Sequence, residues 1–479
     1  MKYVLGWAGE QPISKNYFWL ERYIYHGNVV GNVVSDQVMW SDGGYLESYF
    51  SDNSIKEMNN DGEKLLNPKN ALSTIRNSKK AIENFWKTTK IISKEFNKNH
   101  SLKKMQKWYG RFYSAELLIA AHFITSREEV MYAVECTLYN HLVEKIGEKQ
   151  AQNMFGLLTT PVHEDLVFRE LKDTQKVLKN PSIKNILTHL RKYPFLAFNI
   201  DSEQKAIVVM KKRFIEESLE KARVEIQNSI KRRKELKKKQ KHYFERLKES
   251  RIKQLAVFVQ QSAINRLELK ACWAGAEYYL LPFFRKISEI AKCSLKDLLM
   301  FYTPKDIKEI LNKGNLVSSE ELQARKKYMF VHYHNQKIDF YAGEKALQAK
   351  QSILDPSLPG KETKEFNGMI ANMGKFVGKA KLVKVDNMEE IQQIAKTLTK
   401  EHILVAGMTN PNMTVLVKKV GGIITDEGGM ACHAAIISRE FNLPCLVGCK
   451  IATLVLQDND LIELDANNGV VKIIKKVIK

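Results

Sequence analysis

From Asn70 onward apolar residues recur at three- and four-residue steps, through ALSTIRNSKKAIENFWKTTKIISKEF and again through WYGRFYSAELLIAAHFI. That is the period of helices that bury one face. Glu129 to Ile146 carries the same stripe and meets a stop at Gly147. Leu166 to Leu178 and Lys184 to Leu190 read as two further helices, separated by Asn180-Pro181. Ser202 to about Ala274 has neither proline nor glycine. Its length predicts one or two long helices in a coiled-coil-like hairpin, with the tract KRRKELKKKQKH at 231–242 as the tip. AEYYLLPFFRKISEIAK and SLKDLLMFYTPKDIKEILNKG continue as helices, with Ser294 and Thr303-Pro304 as N-terminal caps and Gly314 as a stop. Another start follows at Ser318 or Ser319.

The period changes after a polar stretch with two prolines and a glycine at 352–365, which reads as a linker. GKFVGKAKLVKV alternates as a strand, Met388 to Leu398 is a helix, HILVA a buried strand, and Asn412 to Lys419 a short helix. GGIIT and PCLVG are strands on either side of a helix from Cys432 to Phe441, and DLIELDANNGVVKII is a hairpin turning at Asn467-Asn468-Gly469. The expected architecture is a multidomain α plus α/β chain. Residues 1–200 form a mostly helical region, 201–351 a long helical hairpin and bundle, and 366–479 an α/β domain. Residues 1 to about 65 are rich in Trp, Tyr and Phe, and NVVGNVVSDQVMW fits extended and helical readings alike. Those aromatics serve either as core or as the wall of an acceptor site.

Composition narrows the class. The chain has 479 residues with 44% hydrophobic and 27% charged, the balance of a soluble globular protein of several domains. No apolar run approaches the roughly 20 residues that span a bilayer, and the N-terminus lacks a signal-like apolar core. Six scattered cysteines favour reduced thiols and a cytoplasmic protein. Cys445 and Cys449 lie close together without a second pair to complete a zinc set, so no metal site is expected. The net charge of +22 is unevenly spread. Between Lys211 and Gln254, 17 Lys/Arg face 7 Asp/Glu, whereas residues 363–479 hold 15 against 12. The basic tract is either a solvated face or an electrostatic contact with nucleic acid or an acidic partner.

Candidate chemistry concentrates in GGIITDEGGMACHAAIISREFNLPCLVG, residues 421–448. Gly428 and Gly429 precede a helix start, where backbone N–H groups and the positive end of the helix dipole suit a phosphate. His433, at that start, is a neutral imidazole near physiological pH and a competent phosphoryl acceptor.

The succession TDEGG, CHAAI, SRE and NLPCLVG, with ILVAGMTNP upstream, resembles the phosphohistidine domain of the PEP-utilising enzymes. That family includes phosphoenolpyruvate synthase, pyruvate phosphate dikinase and rifampicin phosphotransferase. The synthase variant also has a cysteine before the histidine. The resemblance implies a β/β/α swivelling domain whose histidine takes a phosphoryl group from ATP and Mg²⁺ at an ATP-grasp domain and delivers it elsewhere. On this sequence His433 is then the carrier and Gly428 and Gly429 the phosphate loop. Thr425 and Asp426 fix that loop, Cys432 precedes the histidine, and Arg439 pairs with Asp426 or Glu440 or faces a docking partner. Ala431 replaces the threonine that a regulatory kinase modifies in some members, and Asn442-Leu443-Pro444 replaces Gly-Ile-Pro. The glycine-rich nucleotide loop of an ATP-grasp domain is not found in the sequence. The resemblance therefore implies an ATP-grasp partner subunit that holds ATP and Mg²⁺, and an acceptor of unidentified structure bound by the helical region. The competing expectation is a non-catalytic docking module whose basic hairpin grips nucleic acid or an acidic partner.

Overall fold

The architecture comes from a computed structural model that describes residues 3–10, 17, 19–24, 34–98, 101–198, 200–247, 250–354, 363–384, 388–430 and 432–477. Ala431 lies outside the described residues, as does most of the linker.

The N-terminal region is built on a sheet as well as on helices. Strands β1 (Tyr3–Glu10), β2 (Asp36–Asp42), β3 (Tyr45–Ser51), β4 (Met329–His334) and β5 (Lys337–Ala342) form an antiparallel sheet in the order β1-β3-β2-β4-β5. The β2–β3 turn needs positive φ at both Gly43 and Gly44, which glycine adopts without a Cβ penalty. One face packs Met39, Leu46, Phe50 and Val331 against helices. The other packs Val38, Trp40, Tyr49 and Phe330 against the Gly343–Ile353 helix. Burial on both faces removes the alternation that marks a half-buried strand, which is why the aromatic-rich stretch was ambiguous. Because β4 pairs with β2 and β5 with β4, the segments expected as separate regions at 1–200 and 201–351 share one sheet.

The long helical pattern from Ser202 is divided. It becomes helices Glu203–Glu216, Leu219–Leu247 and Ser250–Ile290. The tract 231–242 lies inside the second of these rather than at a tip. That helix packs on Leu166–Lys179 and Glu148–Thr159, whereas Ser250–Ile290 packs on Pro68–Phe96 and Leu102–Ile124. The first break is set by Ser218, whose hydroxyl accepts from the Lys221 amide. A serine that restarts a helix carries little pattern signal. The largest helical core gathers Phe85, Trp108, Phe112, Leu269, Trp273 and Phe283 between these helices.

The C-terminal region holds β6 (Glu365–Asn367), β7 (Met369–Asn372), β8 (Lys375–Val383), β9 (His402–Ala406), β10 (Gly422–Thr425), β11 (Cys445–Val447), β12 (Leu461–Asp465) and β13 (Val470–Lys475). Their order is β6-β13-β12-β8-β9-β10-β11-β7, and β8 through β11 run parallel. The helices Met388–Thr397, Thr414–Val417 and His433–Phe441 connect the parallel strands. Loops beyond the carboxyl ends of parallel strands are where open α/β sheets bind ligands. The β9 loop carries Thr409 to that edge, and the β10 loop carries residues 426–432 and then His433. Among the described residues no helix is long and apolar enough to cross a membrane.

Candidate functional site

His433 is the first residue of its helix, and Cys432 caps it by accepting the Ala435 amide on sulfur at 3.4 Å. The histidine Nδ1 lies 2.8 Å from Thr409 Oγ1. When the ring donates its Nδ1–H to that hydroxyl, the lone pair sits on Nε2, the nitrogen able to attack phosphorus. Burial holds the His433 pKa down to about 4, helped by the Lys270 ammonium and opposed by Asp165. The ring is therefore neutral and nucleophilic across the physiological range. Lys270 comes from the Ser250–Ile290 helix, and its Nζ lies 2.9 Å from Met408 sulfur, next to Thr409. A cation from the helical region thus stands beside a histidine of the α/β region. A cleft of about 680 Å³ opens here, lined by His433, Asp165, Arg232 and Arg233.

The glycine loop faces a different set of groups. Gly428 takes φ +115° and its amide donates to Glu128 Oε2 at 2.6 Å. A Cβ on Gly429 would stand 2.9 Å from Glu135 Oε2, so a larger residue there would push that carboxylate aside. Glu128 and Glu129 also receive Lys450 Nζ at 2.5 and 3.3 Å. Arg127 binds Glu129 through Nε and Nη2 at 3.0 and 3.2 Å. The start of the Glu128–Ile146 helix therefore latches onto the loop with carboxylates. Glu427 is the exception. It is 2% exposed, neither carboxylate oxygen has a hydrogen-bond partner among the described residues, and Arg127 and Arg266 approach to 3.6 and 3.8 Å. Burial outweighs those cations and pushes its pKa up to about 8. Burial likewise raises Glu135 to about 7.

Residues 398–469 match the family described as PEP-utilising enzyme, mobile domain. That segment belongs to the PEP-utilising mobile-domain family. Over 104 residues the chain is 43% identical to a probable phosphoenolpyruvate synthase of Methanothermobacter thermautotrophicus, covering 22% of this chain and 14% of that protein. The phosphoenolpyruvate synthase of Pyrococcus furiosus is 37% identical over 116 residues, 24% of this chain and 14% of its own. An uncharacterised phosphotransferase of Bacillus subtilis, YvkC, is 28% identical over 208 residues, 42% of this chain and 24% of its own length. The chain thus spans about a quarter or less of each of these relatives. Phosphoryl transfer is the chemistry that their names share.

Within the mobile domain the residues singled out from sequence separate into three groups. His433 and Cys432 share the helix start, with the Cys432 thiol pushed up to about 11 by burial and so neutral. Gly428 and Gly429 bend the loop against the helical region, where Glu128 takes the amide that was expected to meet a phosphate. Thr425, Asp426 and Arg439 hold the surrounding loops. Thr425 Oγ1 donates to the Glu427 carbonyl at 2.6 Å. Asp426 accepts the Ala452 and Thr453 amides at 2.5 and 3.0 Å and caps the Ala452–Val455 helix. Its pKa is raised to about 6, burial exceeding those donors. Arg439 pairs with neither Asp426 nor Glu440. Its guanidinium donates to the carbonyls of Ala371 at 3.0 Å and Met430 at 2.6 Å, and it lies against Gly156 of the Glu148–Thr159 helix. Backbone acceptors of this kind leave no mark in a sequence.

Three contributors were not singled out beforehand: Thr409, Lys270 and the Glu128–Glu129 pair. Thr409 sits in the quoted string ILVAGMTNP, so its position at a strand end was available as a signal. Lys270 and Glu128 act across more than 160 residues of sequence, and nothing local marks them. The two arginines of the basic tract bond to groups of this chain, Arg232 while remaining exposed. Arg232 donates to the Glu440 carbonyl at 2.9 Å, and Arg233 binds the His163 carbonyl and Asp165 at 2.7 and 3.1 Å.

Proposed function

We propose that the chain is the carrier and acceptor half of a dikinase-type phosphotransferase. His433 receives a phosphoryl group that originates in ATP, on a separate ATP-grasp subunit that holds ATP and Mg²⁺. The mobile domain then swivels back to the helical region, where an acceptor waits. The observation that carries this reading is the pairing of His433 Nδ1 with Thr409 while a cation of the helical region, Lys270, acts on the same ring. Nδ1 is occupied, Nε2 is left for phosphorus, and Lys270 supplies the positive charge that a phosphoryl oxygen needs. In the delivery step an acceptor hydroxyl attacks phosphorus, an O–P bond forms as the N–P bond breaks, and the electron pair returns to the imidazole. The hydroxyl proton ends on that imidazole. A covalent carrier divides one hard transfer into two easier ones.

Incubating the full chain with ATP, Mg²⁺ and a candidate ATP-grasp subunit should yield an acid-labile phosphoprotein, AMP and phosphate. Labelling of His433→Ala at the wild-type level would end the proposal. The docking-module reading, in which the basic tract grips nucleic acid, finds less support because Arg232 and Arg233 are spent on contacts within the chain. Retention on DNA that falls steeply with added salt would favour it instead.

A further inference from the structure

A cavity of about 540 Å³ lies where the N-terminal sheet, the helical core and the mobile domain meet. Its walls are aromatic: Trp19, Phe50, Phe123 and Trp273 line it. Trp19, Phe123 and Trp273 stand edge to face with centroids 4.8–5.3 Å apart, a rigid arrangement that offers flat apolar surface.

The polar groups that line it are unbalanced. Arg22 is 2% exposed, and among the described residues its Nε has no hydrogen-bond partner, while its other nitrogens donate to the Trp19 carbonyl and the Tyr23 hydroxyl. Among the described residues no carboxylate pairs with Arg22, and the Arg127 guanidinium on the same wall repels it. Burial with that repulsion lowers its pKa to about 10, so it stays charged. A buried guanidinium without an anion is costly, and an anionic ligand would remove the cost. Lys270 also lines the cavity and acts on His433, so the cavity and the histidine share a cation.

We propose that this cavity binds a small, flat aromatic molecule bearing a carboxylate, with Arg22 as the receptor for the anion and the Trp19–Phe123–Trp273 cluster as the receptor for the ring. That such a ligand is the phosphoryl acceptor rests on the carrier reading of His433. Its hydroxyl would then take the phosphoryl group as the N–P bond breaks, its proton passing to the released imidazole. The binding itself does not depend on that reading.

The test uses the full chain and two probes, 2-naphthoate and the neutral 2-naphthalenemethanol, followed by calorimetry and thermal shift. On the unaltered chain the carboxylate should bind about tenfold or more tightly than the alcohol, since a charge-assisted pair is at stake. Arg22→Gln should abolish that preference and leave the alcohol unchanged, while Trp273→Leu should weaken both. Equal affinity for the two probes, binding of neither, or a preference that survives Arg22→Gln would overturn the proposal. The two-probe comparison needs no variant to fold. His433→Ala separates the two readings. Full naphthoate binding by a wild-type chain that fails to take phosphate would remove the carrier alone. Phosphate capture by a chain that binds no naphthoate would remove only the cavity assignment.

Discussion

The mobile domain meets the helical region at two places that are built on opposite terms. At the glycine loop nearly every polar group is matched: Gly428 and Lys450 are taken by Glu128 and Glu129, and Arg127 by Glu129. At His433 the ring has one short bond, to Thr409, and feels the Lys270 ammonium and, with opposite sign, Asp165. Satisfied networks rigidify, whereas groups held ready and only partly engaged are what a passing phosphoryl group can use. On the proposed carrier reading the loop side is a latch and the histidine side is the working face, although one short helix start separates them.

Breaking the working face should have the larger effects. Lys270→Ala removes a cation that acts on His433 and should slow phosphoryl capture or delivery by about a hundredfold, the scale for one charge-stabilising donor. Single-turnover labelling measures it, and an unchanged rate would place the cation outside the chemistry. Thr409→Val leaves the ring without its orienting bond and should cost about tenfold in the same assay. Thr409→Ser should recover most of that loss, because it keeps the hydroxyl.

Breaking the latch should change docking more than chemistry. Glu128→Gln weakens the hold on Gly428 and Lys450, and hydrogen exchange of residues 425–430 should quicken about tenfold. The initial labelling rate should stay the same or rise, since the domain is freer to leave. A loss of labelling would place Glu128 in the chemistry and erase the distinction drawn between the two contacts.

The smallest effect concerns Glu427 and pH. Its folded pKa of about 8 lies above the ordinary carboxylate value of 4.5, so the folded chain keeps a proton that the unfolded chain releases. The stability this contributes is full below the ordinary value and is lost as pH rises through about 8. Glu427→Gln, always neutral, should raise Tm by roughly 2–4 °C at about pH 9 and change it little near pH 5. His433 has the opposite sign. Its pKa of about 4 means that stability from the neutral ring falls as pH drops from the ordinary histidine value of 6.5 toward 4.

Much of the C-terminal fold was legible because its signals are local. HILVA at 402–406 and GGIIT at 421–425 are short apolar runs bounded by turns, and the structure gives strands at His402–Ala406 and Gly422–Thr425. The caps were equally readable. Ser294 accepts the Asp297 amide at 2.9 Å, Thr303 and Asp306 form a reciprocal box, and Gly314 ends its helix in the left-handed region. The N-terminal sheet was not legible, because β2 is buried on both faces and pairs with a strand almost 300 residues later. The tip of the hairpin was misplaced for a related reason, although Gln260 Nε2 donates to Gln240 Oε1 at 3.3 Å and so joins the two helices. Amphipathic period establishes that 219–247 and 250–290 are helices but not which neighbours they choose. Within the site, His433 declared itself through a motif, whereas Lys270 and Glu128 are ordinary charged residues until the fold brings them to it.

The central claim is that His433 carries phosphate on Nε2. Phosphorylating the full chain with ATP, Mg²⁺ and an ATP-grasp subunit, then reading it by ³¹P NMR and by mass spectrometry under alkaline conditions, addresses it directly. The account calls for one phosphoramidate, on His433, with the tele-nitrogen signature and absent from His433→Ala. Phosphate on another residue, or on Nδ1 of His433 where Thr409 now sits, would contradict it.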